Sequence, residues 1–152
     1  MSFEILEAQS KEWALLLTEP PPTGIGRLLA TARSLFRHCW FDYEFMAVGV
    51  IVALQAVEAA FRQVVYPEAS DRAPFRSLVD KAQHEGWLDV DLAERLDAAI
   101  HLRNSLSHPP TQAAFTVGMA VPMIENSHHI VNFVCGYDFS RWRAEHSEWP
   151  TV

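Results

Sequence analysis

The longest apolar run in the chain, residues 45–54, places ten residues in succession without a polar side chain. A helix that spans a membrane needs about twenty apolar residues, and here Gln55, Glu58 and Arg62 follow at once. A helix that is apolar all round has no polar face to turn to water and is therefore buried. The run predicts a central helix from about 42 to 66, packed inside a soluble domain.

Apolar residues spaced three and four apart predict further helices on both sides of this segment. Thr23 is a candidate cap for a helix from 24 to about 40, and Pro74 and Gly86 suit the two ends of a helix over 74–85. Two more are predicted at 91 to about 106 and at 113–136, where Pro122 allows a late start or a kink. No segment favours a strand. The predicted fold class is therefore all-α, a helical bundle of four main helices and a possible short extra helix.

The length of 152 residues fits one domain, residues 1–152. Within it, residues 1–22 are predicted as an N-terminal arm or a short helix, and residues 137–152 as a C-terminal tail that is either packed or partly disordered. Cys39 and Cys135 have no metal-type spacing, so we expect two packed thiols in a reducing cytosol. The first residues do not resemble a signal peptide. We therefore expect a cytoplasmic protein without a membrane partner.

The helix predicted at 91–106 carries a charge within its apolar stripe. On a helical wheel Arg103 lies in the middle of the stripe formed by Leu92, Leu96, Ala99 and Leu106. A guanidinium stays charged at any ordinary pH, and its burial without a partner costs several kcal/mol. Arg103 must therefore meet a carboxylate, a cleft or a second chain.

Glu58, on the mostly buried central helix, is a candidate partner for that charge. Two pairings are open from the sequence. Glu58 can pair with Arg62 one helical turn later, which is worth only a few tenths of a kcal/mol. Alternatively, Glu58 faces Arg103 and orients its guanidinium.

His108 follows Arg103 by five residues, roughly 140° around the helix, so a single straight helix cannot aim both side chains at one point. Either Pro109 takes His108 out of helical geometry, or the helix pairs with its copy across a two-fold axis and both chains share a groove. Asn104 lies on the same side as His108 and is placed to hold the imidazole tautomer. A simpler interpretation is that cations and a proline merely mark the end of a helix.

The segment from Arg103 to Pro109 resembles the Arg-(four residues)-His signature of the HEPN superfamily, in which Asn often follows the Arg and Pro the His. The resemblance implies an all-helical HEPN-like bundle, with an acidic or polar companion on the preceding long helix, here Glu58. Many members are metal-independent ribonucleases that act as dimers in toxin–antitoxin, phage-defence or RNA-processing systems, and others are catalytically silent. One branch of the superfamily carries a Tyr two residues after the His. The residue at that position here is Pro110, so control through that Tyr does not carry over to this chain.

The resemblance implies a cleavage mechanism that needs no metal and no cofactor. His108 would move protons to and from the ribose 2′-hydroxyl and the leaving 5′-oxygen, and Arg103 would hold the phosphate. Asn104 would maintain the geometry, with Glu58 and Ser107 as supporting residues. The expected partners are an RNA substrate, a second copy in a homodimer, and an antitoxin or other protein.

The net charge of −7 opposes bulk electrostatic binding of long nucleic acid, for which a basic face is usual. An RNA-cutting function therefore needs a local basic groove, to which Arg62, Arg72, Arg76 and Lys81 are candidates to contribute beside Arg103. Two other functions stay open. One is a silent HEPN-like module for dimerisation or nucleotide binding, and the other is an interaction protein in which Arg103 simply pairs with Glu58.

The adjacent histidines His128 and His129 do not predict a metal site. Neighbouring residues point about 100° apart on a helix, so the two rings cannot share an ion. His128 falls on the apolar side of the last main helix, with Ile124 and Val131. We therefore expect it to be packed in the core.

Overall fold

A computed structural model describes residues 2–106 and 115–145, which form helices and loops and contain no strand. The all-α class is therefore confirmed for the part of the chain described. Seven α-helices follow one another there: α1 Phe3–Leu15, α2 Thr23–His38, α3 Glu44–Ala60, α4 Phe75–His84, α5 Val90–Leu106, α6 Val117–Gly136 and α7 Phe139–Glu145.

The helix α3 is the centre of the fold, as its composition predicts. It packs against α2, α5 and α6, and it continues into a π-helical turn, Phe61–Val65. Glu44–Val65 is long and apolar enough to cross a membrane, but more than half of its apolar window is buried inside the protein. Val50, Ala53 and Val57 are each 0% exposed, so α3 is a core helix. Phe45 and Val48 are 38% and 43% exposed, so the prediction that the whole apolar run is packed inside the domain is wrong for these two residues.

The helices α2 and α3 approach each other closely at Gly49. A Cβ atom at this position would lie 3.2 Å from the carbonyl oxygen of Ala32 and 3.4 Å from the Cβ of Leu35. Both of these atoms belong to α2, and the carbonyl is held in the helix. The absence of a side chain at Gly49 therefore sets the spacing of the two helices.

We expect Gly49→Ala to destabilise the protein by about 1 kcal/mol, because separating α2 from α3 outweighs the better helix propensity of Ala. Urea unfolding at neutral pH measures the change. Gly118→Ala in α6 is the matched control, since its Cβ would come no closer than 3.8 Å to Thr116 Oγ1. The control should be neutral or slightly stabilising, and a stabilising effect at Gly49 would contradict the close packing.

Both ends of the described chain are packed on the bundle. Of the two alternatives predicted for the N-terminal residues, the structure has the helix, and its Leu6 and Trp13 are each 1% exposed. The ring centroids of Trp13 and Phe36 are 4.7 Å apart. In the tail, Phe139 of α7 is buried and packs edge-on against Trp87 at 4.9 Å.

The two thiols are free and differ in burial. Cys39 is buried, whereas Cys135 is only partly buried, so the prediction of packing holds more fully for Cys39. Burial raises the pKa of both thiols above its usual value, which disfavours the reactive thiolate.

The helix α5 positions the predicted site. Its Ala93 and Leu96 are buried in the core beside α4, whose end is marked by Gly86 at a φ of +81°. The same face of α5 carries Arg103 toward α3. The described helix begins at Val90, within one residue of the prediction, and of the predicted stripe Leu96 and Leu106 are buried whereas Leu92 and Ala99 are half-buried.

Candidate functional site

Glu58 lies between two arginines and bonds to both. Arg103 Nη1 donates to Glu58 Oε2 at 2.6 Å across the interface of α5 with α3. Arg62 donates to the other oxygen, Oε1, from Nη2 at 2.8 Å and from Nε at 3.2 Å. The two pairings left open by the sequence therefore exist together, one on each carboxylate oxygen.

Arg62 also connects this cluster to the loop after α3. Its Nη2 donates to the carbonyl oxygen of Ala73 at 2.6 Å, and its Nη1 to that of Ser70 at 3.4 Å. Arg62 lies in the π-helical turn, a local departure from α-helical geometry that is often found at functional sites. Its side chain thereby fixes the loop, the end of α3 and the carboxylate in one arrangement.

The electrostatics of the cluster favour an ionised Glu58. Burial alone would raise its pKa, but the hydrogen bonds and charges of Arg62 and Arg103 outweigh that effect and hold the pKa below its ordinary value. The side chains of Glu58, Arg62 and Arg103 are 22%, 23% and 23% exposed. The charges of these two guanidinium groups and one carboxylate sum to +1 in a partly buried place. Guanidinium groups bind phosphate oxygens in a fork, so a phosphate is a chemically suitable anion.

We expect Glu58→Ala to cost about 2 kcal/mol of stability, because it leaves two partly buried guanidinium groups facing one another. Urea unfolding at neutral pH measures this loss. Glu7→Ala is the matched control: Glu7 pairs with Lys11 on the exposed surface of α1 at 3.5 Å, and such pairs contribute at most about 1 kcal/mol. Equal losses in the two variants would show that the cluster is an ordinary surface ion pair.

The remaining predicted site residues divide into two groups. Asn104 is exposed on α5, one residue beyond Arg103. Ser107, His108 and Pro109 lie outside the described residues. The approach of His108 to Arg103 therefore stays a prediction.

Most cations proposed for a basic groove already have acidic neighbours. Arg62, Arg76 and Lys81 each lie within 4 Å of at least one carboxylate oxygen. Arg72 is exposed in the loop between α3 and α4. Of the cations proposed for the groove, geometry places Arg62 beside Arg103, since both bond to Glu58.

A second polar pair, which the sequence did not predict, joins α2 to α6. Arg33 Nη1 lies 2.8 Å from Nε2 of His128, whose Nδ1 lies 2.8 Å from the carbonyl oxygen of Ile124. Arginine can only donate, so His128 accepts at Nε2 and donates from Nδ1 as a neutral ring. His128 is 0% exposed, as its place on the apolar face predicts. Burial, with the charges of Arg33 and His129, lowers the pKa of His128 to about 4.

Among the described residues no group of three or more His, Cys, Asp or Glu side chains is arranged to hold a metal ion. Comparison of the chain with protein-family models, with curated proteins and with solved structures finds no match.

Proposed function

We propose that this protein is a cytoplasmic, metal-independent endoribonuclease of the HEPN type, acting as a toxin or defence component, with a HEPN-like bundle of four main helices. The observation that carries the proposal is the 2.6 Å contact between Arg103 and Glu58. It accounts for a charged residue in the apolar stripe of α5, and it holds that residue in a cluster with one net positive charge.

The proposed reaction is attack of a ribose 2′-hydroxyl on the adjacent phosphate. His108 takes the proton of the hydroxyl and returns one to the leaving 5′-oxygen, and Arg103 stabilises the negative charge on the phosphorane. Glu58 acts on Arg103 as a positioning residue, and Asn104 on His108. The products would be a 2′,3′-cyclic phosphate and a 5′-hydroxyl.

A homodimer fits this chemistry, because a straight helix continued from Arg103 to His108 would aim the two side chains about 140° apart. A two-fold axis beside the end of α5 would bring Arg103 of one chain near His108 of the other and double the cationic charge in the groove. This doubling would offset the net charge of −7 on each chain.

The second candidate function is a catalytically silent HEPN-like module that dimerises or binds a nucleotide. It is favoured by the acidic net charge and by the ion pairs that already engage most of the surface cations. In this case the net positive charge at Glu58, Arg62 and Arg103 would hold the phosphate of a nucleotide without cleaving RNA.

Incubation of the purified chain with tRNA and mRNA in EDTA tests the proposal. We expect cleavage without a metal, 2′,3′-cyclic phosphate ends, and growth arrest when the protein is expressed. Intact RNA together with saturable nucleotide binding would instead support the silent module. Intact RNA without nucleotide binding would leave Arg103 as a structural partner of Glu58 in an interaction protein.

A further inference from the structure

An apolar cleft of about 450 Å³ lies between α5 and α6, on the side of α5 away from α4. Both helices pack on α3, but they make few contacts with one another, so a gap opens between them. Leu54 of α3 contributes to the lining. From α5 and α6 the cleft is lined mainly by aliphatic and aromatic side chains, among them Leu92, Leu96, Leu102, Met123, Ile130 and Phe133.

The polar residues at this cleft are few, and they are Arg95, Asn126, Ser127 and His129. Arg95 and His129, both exposed, are its ionisable residues, and of the described residues that line it none is a carboxylate. The hydroxyl of Ser127 already has a hydrogen-bond partner, since it donates to the carbonyl oxygen of Met123 at 2.7 Å. The cleft thus combines an apolar interior with one cationic group at its edge, Arg95, whose present partner is Asp91.

We propose that this cleft binds a fatty-acid-like monocarboxylate, with the hydrocarbon chain between α5 and α6 and the carboxylate at Arg95. The volume falls within the range of small-molecule sites, which are mostly apolar with a few polar groups that fix orientation. An anionic head complements Arg95 at the edge, and an unbranched chain fills the aliphatic interior. The proposal is independent of the ribonuclease function.

A second copy of the chain is a poorer occupant of the cleft. In a two-fold dimer the same surface patch meets itself, so two concave clefts would face each other across the axis. Their walls would then lose packing contacts over the enclosed space. A flexible hydrocarbon chain meets both walls at once.

Asp91 competes with the ligand carboxylate for Arg95, so substitutions at Asp91 and at Arg95 should have opposite effects on binding. Arg95 Nη2 lies 2.8 Å from Asp91 Oδ2, but the two side chains are 64% and 74% exposed. A pair so exposed contributes little, so a carboxylate ligand can displace Asp91. Removal of Asp91 should therefore strengthen binding, and removal of Arg95 should weaken it.

Calorimetric titration of the full chain with decanoate, decan-1-ol and decylammonium, each below its aggregation concentration, tests the proposal. We expect one decanoate per chain, bound about fivefold more tightly than the alcohol, and decylammonium bound more weakly than either. Equal affinities for the three compounds, or binding at many sites, would overturn it.

Variants identify the site. Arg95→Gln should reduce decanoate affinity to that of the alcohol, Asp91→Asn should increase it, and neither should change the affinity for decan-1-ol. Arg27→Gln, on the exposed surface of α2, is the matched control and should change nothing. Ala99→Phe should fill the cleft and abolish binding of all three compounds, with helical circular dichroism as the check on folding.

Decanoate affinity that is unchanged in both Arg95→Gln and Asp91→Asn would refute the proposal even if Ala99→Phe fails to fold. Sedimentation tests whether the cleft is instead an interface between two copies of the chain. If the wild-type chain does not bind decanoate and forms a dimer that Ala99→Phe dissociates, the cleft is an interface between copies.

Discussion

Alanine at Arg103 or at His108 should lower metal-free RNA cleavage at least a hundredfold. Loss of a general acid or base costs on the order of a hundredfold or more, and loss of a group that stabilises the developing phosphorane charge has a similar effect. Cleavage of a defined RNA in EDTA, with the ends of the products identified, measures both losses. The helical circular dichroism spectrum of each variant shows whether the fold is retained.

Two further variants make this test specific to the site. Arg27→Ala removes an exposed arginine from α2 and should leave cleavage unchanged. Glu58→Gln retains the shape of the side chain but removes its charge, so it should lower the maximal rate roughly tenfold by loosening Arg103. Cleavage that persists in both Arg103→Ala and His108→Ala would rule out the proposed mechanism.

If the proposed dimer shares its active groove, the two inactive chains should complement each other. A mixture of Arg103→Ala and His108→Ala chains can form a heterodimer with one groove that carries both wild-type residues. We expect that mixture to regain part of the activity. Activity that does not return, although heterodimers are detected, would place both residues of a site on one chain.

We expect a large loss of folding stability at acid pH, caused by His128. His128 is neutral in the folded protein, with a pKa of about 4, against 6.5 for an unperturbed ring. Above pH 6.5 neither the folded nor the unfolded state binds the proton. As the pH falls from 6.5 toward 4 the unfolded state takes it up first, so the stability of the folded state is lost through this window. The difference in pKa corresponds to about 3 kcal/mol.

Urea unfolding at pH 7.5 and at pH 4.5 measures this loss, and His128→Gln is the matched variant. A glutamine amide can accept from Arg33 without titrating, so the variant should lose less stability than the wild type between these two pH values. Glu58 titrates in the same surroundings in both proteins, so its contribution cancels in the comparison. Equal losses in the two proteins would show that His128 is not the group responsible.

The sequence alone determined the elements whose cause is local. Residues 45–54 leave no polar face, which favours a helix in the core wherever it packs. The spacing in α5 placed Arg103 among apolar neighbours and made a partner necessary. The apolar side of α6 included His128 for the same reason. Each of these inferences depends on helical periodicity, which is a property of residues close together in the chain.

Only the tertiary structure decided which distant groups meet. It showed that Glu58 bonds to Arg62 and Arg103 together, whereas the sequence offered these pairings as alternatives. It brought Arg33 to His128 across 95 positions in the chain, and it opened a cleft where α5 and α6 diverge on α3. Periodicity gives the face on which a residue lies, but the separation and angle of packed helices depend on side chains from all of them at once.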